Sequence, residues 1–131
     1  PDPISCDIAV HIRRGDIAIA NKKGTYGSDR YIQLSYFKEI INTLRIKNDK
    51  KPLKIIIFSE GKIEDFLELE SDDTKFYLNY DLPITFHSMV KAPILITSKS
   101  MLSIAASLLN ENNVYYTKWS CFNPLKHWII I

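Results

Sequence analysis

The chain has 131 residues, with 17 lysines and arginines against 15 aspartates and glutamates, and 46% of it is hydrophobic. That composition excludes the disordered and fibrous classes and fits one domain with a true core. A net charge of +2 is too small to argue for nucleic acid or a membrane surface, and no apolar run reaches the length of a membrane span.

Residues 5–12 (SCDIAVHI) are short and mostly apolar and read as a buried strand. Arg13-Arg14-Gly15-Asp16 follows at its carboxyl end. Residues 21–30 (NKKGTYGSDR) carry two glycines and read as loop. Phe37, Ile40, Ile41 and Leu44 recur at helical spacing and predict an amphipathic helix over 35–47, capped by Ser35. Residues 48–52 break it. Residues 53–58 (LKIIIF) form a second buried strand, with Ser59-Glu60-Gly61 at its end. A short helix is predicted over 63–69, a turn over 71–74 and a short strand over 75–78. A helix over 82–91 begins near Pro83, which suits a first helical position. Residues 94–97 are the next strand. Ser98-Lys99-Ser100 leads into a helix over 101–109, whose apolar stripe is Met101, Ile104, Ala105, Leu108 and Leu109. Residues 114–116 are a final strand, and 121–131 an aromatic, proline-containing tail expected to pack on the core.

This alternation implies an α/β fold, with a mostly parallel sheet and helices on both faces. Such sheets bind ligands beyond the carboxyl ends of their strands. The residues there are Arg13, Arg14, Asp16, Ser59, Glu60, Ser98 and Ser100.

A guanidinium forks onto phosphate oxygens. Successive strand residues point to opposite sides, so Arg13 and Arg14 can share a target only if the chain turns, as Gly15 permits. They read either as a diphosphate clamp or as structural ion pairs, such as Arg14 with Asp16 or Glu60. Ser98-Lys99-Ser100 sits where a helix start exposes unpaired N–H groups, which hold a phosphate or merely need a serine cap. Both features facing one crevice would bind a phosphorylated ligand, most simply a nucleotide.

Other chemistries lack their residues. Glycine-rich nucleotide fingerprints and a Gly-x-Ser-x-Gly elbow are absent. His11, His87 and His127 lack metal-ligand spacing, so no metal is expected. Cys6 and Cys121 are the only cysteines and read as reduced, buried thiols. With no Asn-x-Ser/Thr site and no signal peptide, the expected location is cytoplasmic. Both ends read as cut, which makes residues 1–131 one domain of a longer protein.

Val10-His11-Ile12-Arg13-Arg14-Gly15-Asp16 resembles the His-x-Arg-Arg/His-x-Asp motif of the fucosyltransferase superfamily. Ile57-Phe58-Ser59-Glu60 resembles the strand end that follows it in that family. The stretch from Thr85-Phe86-His87-Ser88-Met89 through Thr97-Ser98-Lys99-Ser100 resembles the later motif, a helix, strand and Ser-x-Ser helix start. The resemblance spans roughly residues 8–128, in family order. It implies the Rossmann-like, nucleotide-sugar-binding second half of a two-domain GT-B glycosyltransferase, with GDP-fucose as donor substrate, no cofactor, and a glycan acceptor. The missing first half would be a partner in the same chain. By resemblance, Arg13 binds the β-phosphate and assists departure of GDP, and Arg14 supports that site or the sugar. His11, Thr85, Phe86 and His87 lie near the nucleotide. Ser98, Lys99 and Ser100 face the diphosphate, and Glu60 sits at the rim.

Fixed arginines aimed at a leaving diphosphate can replace a divalent metal, so metal-independent, inverting transfer is expected. Relatives place a candidate base eight residues beyond the first motif arginine, where this chain has Asn21. Asp16 is the nearest carboxylate. Relatives that grip guanine with aspartate have it where this chain has Thr85. Two other readings stay open: a non-catalytic nucleotide-binding or interaction domain, and another phosphate-handling α/β protein of sulfotransferase-like or phosphatase-like type.

Overall fold

A computed structural model describes residues 2–49 and 52–131. Among the described residues there are six strands: β1 (Ile8–His11), β2 (Ile55–Ser59), β3 (Thr74–Leu78), β4 (Ile94–Ile96), β5 (Asn113–Tyr116) and β6 (Ile129–Ile130). Four α-helices, α1 (Asp16–Lys23), α2 (Leu34–Lys47), α3 (Leu82–Lys91) and α4 (Met101–Leu109), and two 3₁₀ segments, Ser28–Arg30 and Ile63–Leu69, connect them. The sheet order is β3-β2-β1-β4-β5-β6, and every pairing is parallel. This is the Rossmann-like arrangement, with β1 and β4 adjacent at the centre.

The central strands are buried on both faces, which explains their continuous apolar runs. Ile8, Val10, Ile55, Ile57 and Ile96 face α2 and the segment Ile63–Leu69, against Phe37, Ile41, Leu44 and Phe66. Ala9, Ile56, Phe58 and Leu95 face the other way, onto Met89 and Ala92 at the end of α3 and Ala106 of α4. Tyr116, Trp119 and Trp128 extend this second layer with Ile104 and Val114, so the aromatic tail packs on the core as expected. Its last residues add β6, an edge strand too short to read from sequence.

The structure corrects several local readings. Residues 21–23 belong to α1 rather than to a loop. Gly24 closes that helix in the left-handed region, at φ 63°, as helix-ending glycines commonly do. Residues 28–30 form a 3₁₀ turn. Ser35 does not cap α2; the cap position is Gln33, and no side chain bonds there. Asp81 caps α3 through Ile84 N–H at 2.9 Å, with Pro83 just inside the first turn. The break expected over 48–52 lies partly outside the described residues. Cys6 is only half-buried and Cys121 is exposed, so neither is a buried core thiol.

The largest correction concerns α4. Met101, Ala105, Leu108 and Leu109 point outward, and the buried face is Ser103, Ile104, Ala106 and Ser107. Ala106 joins the apolar layer with Ala9 and Leu95, Ser103 meets His11 of β1, and the helix lies closest to α3. Ser107 is satisfied by donating to the Ser103 carbonyl at 2.7 Å. No helix among the described residues is long and apolar enough to cross a membrane.

Candidate functional site

Chain order reverses between β1 and β4, so the loops beyond their carboxyl ends diverge and leave a crevice. The crevice is a cavity of about 300 Å³ lined by His11, Arg13, Arg30, Glu60, Ser100, Met101 and Leu102. It joins the ends of β1, β2 and β4. Arg13 and the serine-rich helix start therefore face one space, as the phosphate reading requires.

Arg13 is held from several directions. Its backbone N–H donates to Ser98 Oγ at 3.0 Å, which ties the two loops together. Its guanidinium pairs with Asp16 at 2.8 Å and Glu60 at 3.4 Å, and donates to the Arg14 carbonyl at 2.8 Å. The ion pairs open to the sequence reading are thus made by Arg13 rather than Arg14. Glu60 also accepts from the Arg14 backbone N–H at 3.1 Å, so one carboxylate organises the whole turn. Gly15 makes that turn with φ 72° and ψ −122°, a conformation open essentially to glycine. Asp16, 79% exposed at its side chain, reaches the site only as a partner of Arg13.

The β4 side is built from serines. Ser98 and Ser100 are buried. Ser100 caps α4, accepting from Leu102 N–H at 3.2 Å. Ser98 N–H donates to Ser103 Oγ at 3.1 Å, and Ser103 Oγ lies 2.5 Å from His11 Nδ1. His11 is buried, and burial together with nearby Arg13 holds its pKa down to about 4. Lys99 turns away from the cavity and donates to the Asp29 carbonyl at 3.3 Å.

Arg14 does not share Arg13's target. Its guanidinium donates to the carbonyls of Arg13 and Ile32 at 3.0 and 2.7 Å and stacks 4.0 Å above the Tyr31 ring. It lines a separate cavity of about 310 Å³ with Lys22, Tyr31 and Asp65. The turn at Gly15 comes one residue too late to bring the second arginine round.

A further cavity of about 230 Å³ adjoins the first, sharing His11, Glu60 and Leu102 as walls. It adds Tyr77, Asn79, Tyr80 and Thr85. The Tyr77 and Tyr80 rings meet edge to face, with centroids 5.0 Å apart. Asn79 closes the loop above them: its side chain accepts from Gly61 N–H at 3.1 Å and donates to the Gly61 carbonyl at 2.9 Å. Thr85 lines this cavity. Phe86 packs against the core beside Met89, and His87 lines neither cavity.

Sequence reading missed Arg30. Residues 28–30 looked like loop, yet their 3₁₀ turn carries Arg30 to the cavity wall, with its guanidinium 5.5 Å over the Trp119 ring. The Lys99–Asp29 bond fastens the same segment to the β4 loop. With Arg13 already paired to Asp16 and Glu60, Arg30 supplies positive charge not matched by an ion pair among the described residues. Arg30→Ala is expected to weaken binding of a nucleoside diphosphate roughly fivefold, about 1 kcal/mol for a half-exposed charged contact. An unchanged Kd by titration calorimetry would remove Arg30 from the site.

Among the described residues, no three His, Cys, Asp or Glu side chains gather as a metal site would need. No family model, no curated protein and no solved structure matches the chain.

Proposed function

We propose that the chain is the donor-binding domain of a fucosyltransferase-like glycosyltransferase, taking GDP-fucose and releasing GDP. The observation that carries this is the single cavity shared by Arg13, Arg30 and Ser100 at the β1/β4 switch point. In this reading the diphosphate lies there, with Arg13 on the β-phosphate. Ribose and base extend past His11 into the adjoining cavity, where Tyr77, Tyr80 and Thr85 meet the base.

In transfer an acceptor hydroxyl oxygen bonds to the anomeric carbon as that carbon's bond to the β-phosphate oxygen breaks; the electron pair leaves with the phosphate, and the hydroxyl proton passes to a base on the acceptor side. Negative charge grows where Arg13 and Arg30 point, so they favour the transition state over the ground state. Asp16 and Glu60 hold the Arg13 fork in place. Inverting displacement needs its base on the far side of the anomeric carbon. Both carboxylates bond the guanidinium on the leaving-group side, so Asp16 acts by orienting Arg13 and not as the base.

That same placement favours a second reading, a nucleotide-binding domain without catalysis. Titration calorimetry with GDP, GDP-fucose, UDP and ADP, together with a sugar-transfer or donor-hydrolysis assay, tests both. Saturable binding of GDP and GDP-fucose, tighter than ADP, is the expected result. Binding without turnover would favour the second reading. A preference for ADP would favour a sulfotransferase-like protein, and no heat with any nucleotide would overturn the proposal.

A further inference from the structure

Ser103 sits at the first buried turn of α4, 92 residues after the histidine it meets, and nothing in the sequence motifs singles it out. Its side chain is fully buried. Its oxygen has two neighbours: the Ser98 backbone N–H at 3.1 Å and His11 Nδ1 at 2.5 Å. The Ser98 N–H has a proton to give and none to accept, so the Ser103 oxygen accepts that bond. The hydroxyl keeps one proton to place. Among the described residues its one available acceptor is His11 Nδ1. If Nδ1 instead carried the ring proton, the hydroxyl proton would be stranded in the core, where an unpaired polar group is costly.

We infer that Ser103 is a positioning residue, which donates to His11 Nδ1 and thereby fixes the imidazole as the Nε2–H tautomer, a neutral hydrogen-bond donor toward the ligand. His11 is a wall common to both cavities of the site. Its Nε2–H therefore meets an oxygen of the ligand at the joint between the phosphate end and the base end. A ligand group that can only donate is rejected at that point. The network also explains how strand and helix are set against each other: Arg13 N–H to Ser98 Oγ, Ser98 N–H to Ser103 Oγ, and Ser103 O–H to His11 link β1, the β4 loop and α4 in one chain of bonds. Burial and the Arg13 charge keep the ring uncharged near neutrality, in keeping with donation from one nitrogen only.

The tautomer stands on the hydrogen bonds alone, whereas the contact with a nucleotide rests on the function proposed above. Long-range proton–nitrogen NMR of the ¹⁵N-labelled protein at pH 7 reads the tautomer directly. The expected spectrum shows His11 protonated on Nε2, with Nδ1 as the acceptor. A proton on Nδ1 in the unmodified protein would overturn the inference without any variant being made. Ser103→Ala should release the tautomer bias and weaken GDP several-fold, and Ser103→Thr, which keeps the hydroxyl, should restore both. A Ser103→Ala protein with the parent's tautomer and affinity would also overturn it. Failure of the unmodified protein to bind any nucleotide, with the Nε2–H tautomer present, would refute the nucleotide reading and leave the Ser103–His11 assignment standing.

Discussion

Arg13→Ala is expected to weaken GDP binding about tenfold to a hundredfold, the weight of a charged hydrogen bond at roughly 1.5–3 kcal/mol, with little change in Tm. The guanidinium is one-quarter exposed, at 26%, and its partners Asp16 and Glu60 remain solvated when it is gone. Ion pairs of that kind contribute little to folding. Arg14→Ala should do the reverse. Its guanidinium is buried between the carbonyls of Arg13 and Ile32 and the Tyr31 ring. Truncation strands two carbonyls and opens a hole beneath α1, a loss of about 3 kcal/mol or more. The folded fraction should still bind GDP near the parent's Kd. Thermal melts run beside calorimetry separate the two arginines. If Arg13→Ala binds like the parent, or Arg14→Ala folds normally and does not bind, their roles have been assigned the wrong way round.

Acid should destabilise the fold through His11. Burial, with the nearby Arg13 charge, lowers its pKa from the ordinary 6.5 to about 4, so between those values the unfolded chain binds a proton that the folded one excludes. Stability is then full above about pH 7, falls as the pH drops through this window, and levels off below the folded pKa. A shift of this size corresponds to about 3 kcal/mol. Asp73 is also held below its ordinary value, by its bond to Arg45, but its share is lost only under more acidic conditions. Urea denaturation from pH 7 to pH 4 measures the effect. The parent's unfolding free energy should decline across that range, and that of His11→Gln should decline much less. Equal slopes would mean that His11 is not the group excluding the proton.

The strands were legible because both faces are buried. Runs such as IIIF allow no other placement, and helices between them force parallel crossovers. The central site was legible for the same reason: polar residues directly after buried strands must lie at the carboxyl edge of the sheet. What failed was local. Helix α1 was hidden by the run Asn21-Lys22-Lys23-Gly24, although Asp16 in the first turn, lysines in the last and a closing glycine are the pattern of a helix end. With it went the 3₁₀ turn that delivers Arg30. In α4, hydrophobic spacing pointed to Met101, Ile104, Ala105, Leu108 and Leu109 as the core face; of these only Ile104 is buried, and the rest of the buried face is the small residues Ser103, Ala106 and Ser107. Ser103 was therefore overlooked, since periodicity cannot find a buried serine whose partner lies 92 residues away.

The diphosphate claim is tested most directly by backbone amide NMR of the ¹⁵N-labelled protein titrated with GDP. Saturable shifts are predicted at Arg13, Ser98, Ser100 and Leu102, with Ala18, Lys22 and Asp65, around the Arg14 cavity, left in place. Shifts confined to that second group, or none at Arg13 and Ser100 at saturating GDP, would contradict it.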